Sequence, residues 1–192
     1  MIIYDITREL FSAPLYPGDE AAHKDHYRVI DENNRCNLTR LFIGSHNGTH
    51  LDAPLHFIAN AGDVASIPLD KCIGTCFVVE FDGLLTKTAV EEIAPIEGDR
   101  LLLKGNATIM PDGAKALAEL GINLLGVEKL TVGDAKMNTQ TEVHQTLLGA
   151  EIVIVESLDL SEVEEGEYTI CALPLKMEGL DGSPVRAVLY RC

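Results

Sequence analysis

The chain has 192 residues, 46% of them hydrophobic, and its 30 acidic residues against 15 basic residues give a formal net charge of -15. This length and composition suit one domain, residues 1–192, with a substantial core. A surface of this charge repels phosphate backbones and anionic bilayers, so nucleic acid and membranes are excluded as expected partners.

Two features of the sequence predict where the protein works. No apolar run approaches the roughly 20 residues of a membrane span, and residues 1–6 lack the basic start and long apolar region of a signal peptide. The five cysteines are odd in number and irregularly spaced, so we do not expect a disulfide framework. The sequence therefore predicts a cytoplasmic protein.

The chain begins with a predicted strand and a shaped loop. Residues 2–6 form a short apolar run with β-branched side chains, which is typical of a strand. Prolines and a glycine within residues 10–19 exclude regular structure. Tyr16 in this loop either walls a pocket for a flat substrate or only packs the loop. His23 and His26 follow in a polar segment, and we assign both to the surface.

A dense group of metal-binding side chains follows the next predicted strand, residues 37–44. Residues 45–57 hold three of the six histidines and one aspartate, namely His46, His50, Asp52 and His56. Pro54 is expected to keep the preceding residue extended, so that the side chains project along a non-helical path. Imidazole and carboxylate groups bind divalent transition metals. A polar loop with neighbouring histidines is the alternative, but the constellation favours a metal site.

The remaining residues alternate strands and helices. Strands are predicted at residues 76–81, 100–104, 123–127, 150–156, 168–174 and 185–190, with a loop at 176–184 before the last of them. Helices are predicted at residues 88–93, 111–120 and 138–148. The last of these would be capped by Asn138 or Thr139, with Glu142 reaching back. This rhythm predicts an α/β fold with a β-rich core, a mixed or barrel-like sheet, flanked by helices.

Two further candidates lie late in the chain. His144 falls in the last predicted helix beside two leucines, and taken alone it would be a satisfied core histidine. Glu156 ends a predicted strand, and taken alone it would be a solvent-facing charge. Neither residue indicates a site without the motif at residues 46–56.

The motif His46-x-Gly48-Thr49-His50-x-Asp52-x-Pro54-x-His56 resembles the signature of the metal-dependent cyclase-like hydrolases, a family that includes bacterial kynurenine formamidase and isatin hydrolase. Other segments are similar to landmarks of the same family and extend the resemblance over nearly the whole chain. They are residues 17–19, His144 with Glu156, residues 173–175 and residues 182–187. The resemblance implies that the sheet belongs to a swivelling β/β/α fold.

The resemblance also implies a pair of divalent metal ions. Mixed nitrogen and oxygen ligands suit zinc, manganese or iron, and of these zinc is the expected metal and manganese the alternative. His46, His50 and Asp52 would bind one ion. Asp52 and Glu156 would bridge to a second ion held by His144. The resemblance further implies a homodimer or homotetramer, in which a neighbouring chain often completes the pocket.

The implied activity is hydrolysis of a small-molecule amide by a metal-activated hydroxide. His56 would shuttle the proton, although it could instead be a further ligand or a donor behind the ligands. Tyr16 would contact the substrate. The candidate substrates are an aryl formamide such as N-formylkynurenine, which would place the enzyme in tryptophan catabolism, or a cyclic amide such as isatin.

Other functions stay open. A lactone hydrolase or a dehydratase could use the same dinuclear site, and a catalytically inactive protein could bind metal or ligand there. The chain also departs from the usual formamidase pattern at Val143 and at residues 104–106 and 128–131. The metal residues match while the surrounding pocket does not, so the sequence supports an amide hydrolase more than it supports N-formylkynurenine as the substrate.

Overall fold

The computed structural model describes residues 1–93 and 100–191. The strands before the first helix are β1 (Ile2–Asp5), β2 (His23–Arg28), β3 (Leu38–Phe42), β4 (His50–Asp52), β5 (Ile73–Glu80) and β6 (Gly83–Leu85). The later strands are β7 (Arg100–Lys104), β8 (Ala107–Ile109), β9 (Leu124–Val127), β10 (Val153–Glu156), β11 (Gly166–Cys171), β12 (Gly182–Pro184) and β13 (Val188–Arg191). The helices are α1 (Lys87–Ile93), α2 (Pro111–Glu119) and α3 (Gln140–Gly149).

Nine strands form one mixed sheet in the order β1-β13-β11-β5-β7-β9-β10-β4-β12. The central strands β5, β7, β9 and β10 run parallel, and the flanking strands are antiparallel to their neighbours. The pairs β2-β3 and β6-β8 form two small separate sheets. The prediction of an α/β fold with a mixed, β-rich core is confirmed.

The sheet is strongly curled, and its connectivity shows why. Strand β12 pairs with β4 at one edge, while β13 pairs with β1 at the other. Only residues 185–187 separate β12 from β13, and this connection spans at most about 14 Å when extended. The two edges of a nine-stranded sheet must therefore approach each other.

Both faces of the central strands are buried. Leu101 and Leu103 of β7 pack with the three helices, whereas Leu102 between them packs into the other core with β11 and β13. Fully burying one such leucine contributes about 2 kcal/mol. The apolar run of β7 is therefore explained by burial on two faces rather than one.

The hairpin formed by β2 and β3 stands apart from these cores. Every residue of both strands is exposed, and the strands pair only with each other among the described residues. His23 and His26 are on the surface, as predicted, but the strand that carries them was missed. The strand predicted at residues 37–44 is confirmed as β3. The polar, charged residues of its partner strand β2 give no alternating pattern that would identify it.

Two other predictions need correction. The loop predicted at residues 176–184 contains the edge strand β12, which is too short for a periodic signal. Thr139 is the N-cap residue of α3, as predicted, but its side chain does not cap the helix, because the hydroxyl accepts a hydrogen bond from the Asp134 backbone. Glu142 does not reach back and instead contacts Lys115 at 3.2 Å. Within the described part of the chain, no helix combines the length and the apolar character that crossing a bilayer requires.

Candidate metal centre

Strand pairing brings three of the predicted ligands onto one face of the sheet. Strand β4 lies between β10 and β12, and the residue directly opposite His50 on β10 is Glu156. Because side chains alternate along a strand, Asp52 projects from the same face as His50. The Nε2 atom of His50 lies 3.5 Å from an oxygen of Asp52 and 3.5 Å from an oxygen of Glu156.

Helix α3 contributes the fourth predicted ligand. His144 is buried, and its Nε2 atom lies 3.3 Å from Glu156 and 3.6 Å from Asp52. Its Nδ1 atom lies 2.7 Å from the Gln140 backbone oxygen, which can only accept. The Nδ1 atom of His50 likewise lies 2.8 Å from the Gly48 oxygen. Both imidazoles therefore present Nε2 to the carboxylates.

These groups suit a divalent cation. Asp52 is fully buried, and its Oδ2 atom has no hydrogen-bond partner among the residues described. A buried carboxylate oxygen without a partner is costly. Two neutral imidazole Nε2 atoms facing carboxylate oxygens would also repel them unless a proton or a cation lies between. The donor set of imidazole nitrogen and carboxylate oxygen is the one that zinc and manganese accept.

His46 completes the predicted ligand group from the loop before β4. Its Nδ1 atom lies 3.0 Å from Oδ1 of Asp52, and its Nε2 atom lies 3.0 Å from Oδ2 of Asp181. The backbone reaches this position through Gly48, whose φ of +65° favours glycine. All five predicted metal residues thus converge, with Asp52 at their centre.

His56 lies in a short 3-10 turn, Pro54–His56, rather than on the non-helical path predicted for it. Ala53, the residue before this turn, has an extended backbone, as Pro54 requires. The His56 ring stacks on His46 with 3.9 Å between ring centroids, and its Nδ1 atom lies 3.3 Å from Asp181. Asp52 with His46 and His56 is one group whose atoms could share an ion, and Asp52 with His50 and Glu156 is another.

Four of the five predicted metal residues, namely His46, His50, His144 and Glu156, line a cavity of about 220 Å³. Tyr16 forms part of its wall, and its hydroxyl donates a 2.9 Å hydrogen bond to the side chain of Gln140. Thr131 and Ser157 also line the cavity, and neither hydroxyl has a hydrogen-bond partner in the described structure. Ser157 has a φ of +59°, an unusual conformation for a serine that directly follows Glu156. Two buried hydroxyl groups without partners therefore lie beside the predicted metal residues.

The metal-free cluster holds protons on its histidines. Burial lowers the pKa of His46, but the Asp52 and Asp181 carboxylates outweigh it and raise the pKa to about 9. Burial also lowers the pKa values of His50 and His144, but the Glu156 and Asp52 carboxylates outweigh it and raise both values. Burial raises the pKa of Asp52, but its histidine neighbours lower it to about 2.

The pKa of His56 moves the other way. Burial lowers it, and the nearby His46 and His144 lower it further against the attraction of Asp52. His56 is therefore the member of the cluster that is neutral at pH 7, which is the state a proton acceptor needs.

Metal binding at pH 7 is expected to release protons, because a ligating imidazole must be neutral. The stabilisation that His46 gives the metal-free protein is complete below pH 6.5 and is lost as the pH rises through about 9. The stabilisation that Asp52 gives the metal-free protein is present above pH 3.8 and is lost as the pH falls through about 2. Zinc affinity should therefore increase between pH 6.5 and 9. Calorimetric titration in buffers of different ionisation enthalpy counts the protons, and a count of zero at pH 7 would contradict the assignment.

Asp181 is the part of the cluster that the sequence did not reveal. Partial burial raises its pKa, but hydrogen bonds from His46 and Ser45 outweigh this and lower the pKa to about 2. It immediately precedes β12, the strand that was predicted as loop. The signal in the sequence was its position directly before residues 182–187, a segment similar to a family landmark. In the structure, a Cβ atom on Gly182 would lie 2.6 Å from the His46 ring.

Comparisons with known proteins agree with this picture. The sequence profile of the family named Cyclase matches residues 4–134. A kynurenine formamidase from Paracidovorax citrulli (strain AAC00-1) is 32% identical over 208 residues, which cover 98% of this chain and 96% of that protein.

Solved structures match over nearly the full chain as well. A protein described as a potential metal-dependent hydrolase with cyclase activity is 28% identical, with a TM-score of 0.84 and coverage of 98% of this chain and 96% of that one. An isatin hydrolase bound to the product analogue thioisatinate is 19% identical, with a TM-score of 0.85 and coverage of 97% and 91%. At that identity the likeness concerns the fold alone.

Proposed function

The chain belongs to the cyclase family of metal-dependent hydrolases, and we propose that it hydrolyses an amide bond of a small molecule in the cavity lined by His50, His144 and Glu156. Like its kynurenine formamidase relative, the enzyme acts on carbon–nitrogen bonds other than peptide bonds. The observation that carries the proposal is the convergence of four imidazoles on two buried carboxylates, one of which keeps an oxygen without a partner.

We assign the metal to His46, His50, Asp52, His144 and Glu156. Asp52 and Glu156 each direct one oxygen toward His50 and the other toward His144. This arrangement supports two ions that share the carboxylates, with zinc as the expected metal and manganese as the alternative. Bound there, divalent metals would supply a water molecule of lowered pKa and polarise a carbonyl oxygen.

His56 moves the proton in this proposal. It is neutral at pH 7, and its Nδ1 atom faces Asp181, so Nε2 is the nitrogen that accepts a proton from the attacking water. The same nitrogen would then donate that proton to the leaving amine. General acid–base transfer of this kind contributes roughly 100- to 10,000-fold to a rate.

The cavity is suited to a small, partly polar substrate. Tyr16 presents an aromatic ring at the wall, and His50, His144 and Glu156 supply its polar part. An aryl formamide such as N-formylkynurenine or a cyclic amide such as isatin combines a flat ring with a carbonyl group. The first of these would place the enzyme in tryptophan catabolism. The free thiols of the described cysteines support work in the reducing cytoplasm.

A hydrolysis screen tests the proposal. Zinc-loaded protein is incubated with aryl formamides, lactams and lactones, and the same protein after chelation serves as the control. We expect turnover of an amide that is lost on chelation and restored by zinc. Turnover of lactones alone would favour a lactone hydrolase, and two bound metals without any turnover would favour a binding protein.

We also propose that the β2-β3 hairpin binds a second copy of the chain. The hairpin exposes Tyr27, Leu41 and Phe42 to solvent. Four of the 15 basic residues but only three of the 30 acidic residues lie within residues 23–42, so this segment can complement the acidic remainder of a partner. The hairpin also adjoins the metal centre, because Phe42 and His46 line a common cavity.

Replacing Leu41 with glutamate is therefore expected to convert an oligomer into a monomer. Leu41 is 54% exposed, so the charge does not disturb the core. Light scattering coupled to size-exclusion chromatography measures the mass. Leu84→Glu is the matched control, since Leu84 is 48% exposed on a different small sheet. A monomeric unmodified protein would refute the proposal.

A further inference from the structure

One carboxylate contacts both the metal cluster and the proposed proton carrier. Oδ2 of Asp181 lies 3.0 Å from Nε2 of His46 and 3.3 Å from Nδ1 of His56. Its other oxygen accepts a 2.9 Å hydrogen bond from the Ser45 hydroxyl. An ionised carboxylate can only accept hydrogen bonds, so each of these ring nitrogens must carry the hydrogen.

This contact fixes the opposite nitrogen of each ring. In His46, a hydrogen on Nε2 leaves Nδ1, which faces Asp52 at 3.0 Å, as the nitrogen that can bind a metal. In His56, a hydrogen on Nδ1 leaves Nε2 as the proton acceptor. A histidine that binds metal commonly donates its other N–H to a carboxylate, which sets the tautomer and the ring orientation.

The backbone holds Asp181 in this position. Strand β12 begins at the next residue, Gly182, which lies directly opposite Asp52 on β4. The backbone oxygen of Asp181 accepts a 2.9 Å hydrogen bond from Ala53. Because Gly182 has no side chain, the His46 ring can lie against this strand, where a Cβ atom would be 2.6 Å from it. The carboxylate is therefore held beside β4, the strand that carries His50 and Asp52.

We infer that Asp181 is a positioning residue that holds His46 in the orientation for metal binding and His56 in the orientation for proton transfer. The inference rests on the proposed function for His56, but its consequence for His46 does not. The Asp181 side chain is 39% exposed, so the fold does not depend on burying it.

Asp181→Asn tests the inference with little change in shape. The amide is uncharged and has one accepting oxygen in place of two, so it accepts hydrogen bonds from the two rings more weakly than the carboxylate does, and it cannot also accept one from the Ser45 hydroxyl. Glu178→Gln is the matched control, because Glu178 is an exposed acid on the same loop. Circular dichroism confirms that each variant is folded.

Three readouts are compared with the unmodified, zinc-loaded protein. We expect kcat to fall about 10- to 100-fold with KM nearly unchanged, and zinc affinity to fall about 10- to 100-fold. Long-range ¹H–¹⁵N spectra of ¹⁵N-histidine protein should show His56 with its hydrogen on Nδ1, and a mixture of tautomers in Asp181→Asn. Glu178→Gln should match the unmodified protein in all three.

The outcomes separate the two roles. An unchanged His56 tautomer in Asp181→Asn would overturn the positioning of His56, and unchanged zinc affinity would overturn that of His46. If the unmodified protein hydrolyses no amide, the proposed function fails, yet the zinc affinity and the spectra still decide whether Asp181 orients the two rings.

Discussion

Asp52→Asn is expected to remove metal and hydrolytic activity together. Asp52 is the residue that both possible ion-binding groups share, and the substitution replaces a charged oxygen with a neutral NH2 group at the centre of the cluster. Removing a direct ligand should lower the zinc affinity by more than roughly 100-fold, which is the upper effect of removing a residue behind the ligands. If the metal is required for hydrolysis, kcat/KM should fall by a similar factor.

Thermal unfolding with and without zinc gives a second measure of this effect. Zinc at 100 times its Kd should stabilise the unmodified protein by about 2.7 kcal/mol, because it binds only the folded state. Zinc should leave the unfolding of Asp52→Asn unchanged. Asp25→Asn, on the exposed strand β2, is the matched control and should behave as the unmodified protein does. Retention of stoichiometric zinc by Asp52→Asn would contradict the assignment.

His56→Ala is expected to separate catalysis from metal binding. The activity should fall by roughly 100- to 10,000-fold, the contribution of one general acid–base group, while the metal content is unchanged. Metal is measured by elemental analysis after dialysis, and activity on the best substrate of the screen.

The geometry makes this a discriminating experiment. His56 lies within reach of Asp52 and His46 as a possible ligand, and it also stacks on the His46 ring. Loss of metal from His56→Ala would therefore make His56 a ligand and would remove it from proton transfer. His26→Ala, which alters an exposed histidine on the hairpin, should leave both quantities unchanged.

The sequence allowed the central strands and the site motif to be predicted for different reasons. Strand β7 is a continuous apolar run because both of its faces are buried, and α2 begins at Pro111, where proline fits the first helical turn. The group at residues 46–56 is visible because its residues are close in sequence. His144 and Glu156 could be assigned only through the family resemblance, since each has an ordinary structural explanation.

The features that were missed depend on tertiary contacts. Strand β12 has three residues and exists because β4 offers it an edge, so no local pattern identifies it. Asp181 reaches His46 and His56 only through that pairing, at separations of 135 and 125 residues. The curl of the sheet likewise follows from which strands pair rather than from their individual sequences.

Anomalous diffraction from a crystal of the metal-loaded protein tests the central claim most directly. Data collected on either side of the zinc absorption edge locate the ion without reference to activity. The account predicts peaks beside Asp52, within coordination distance of imidazole nitrogens from the His46, His50 and His144 group. A map with stoichiometric zinc in the crystal but no peak at Asp52 would contradict it.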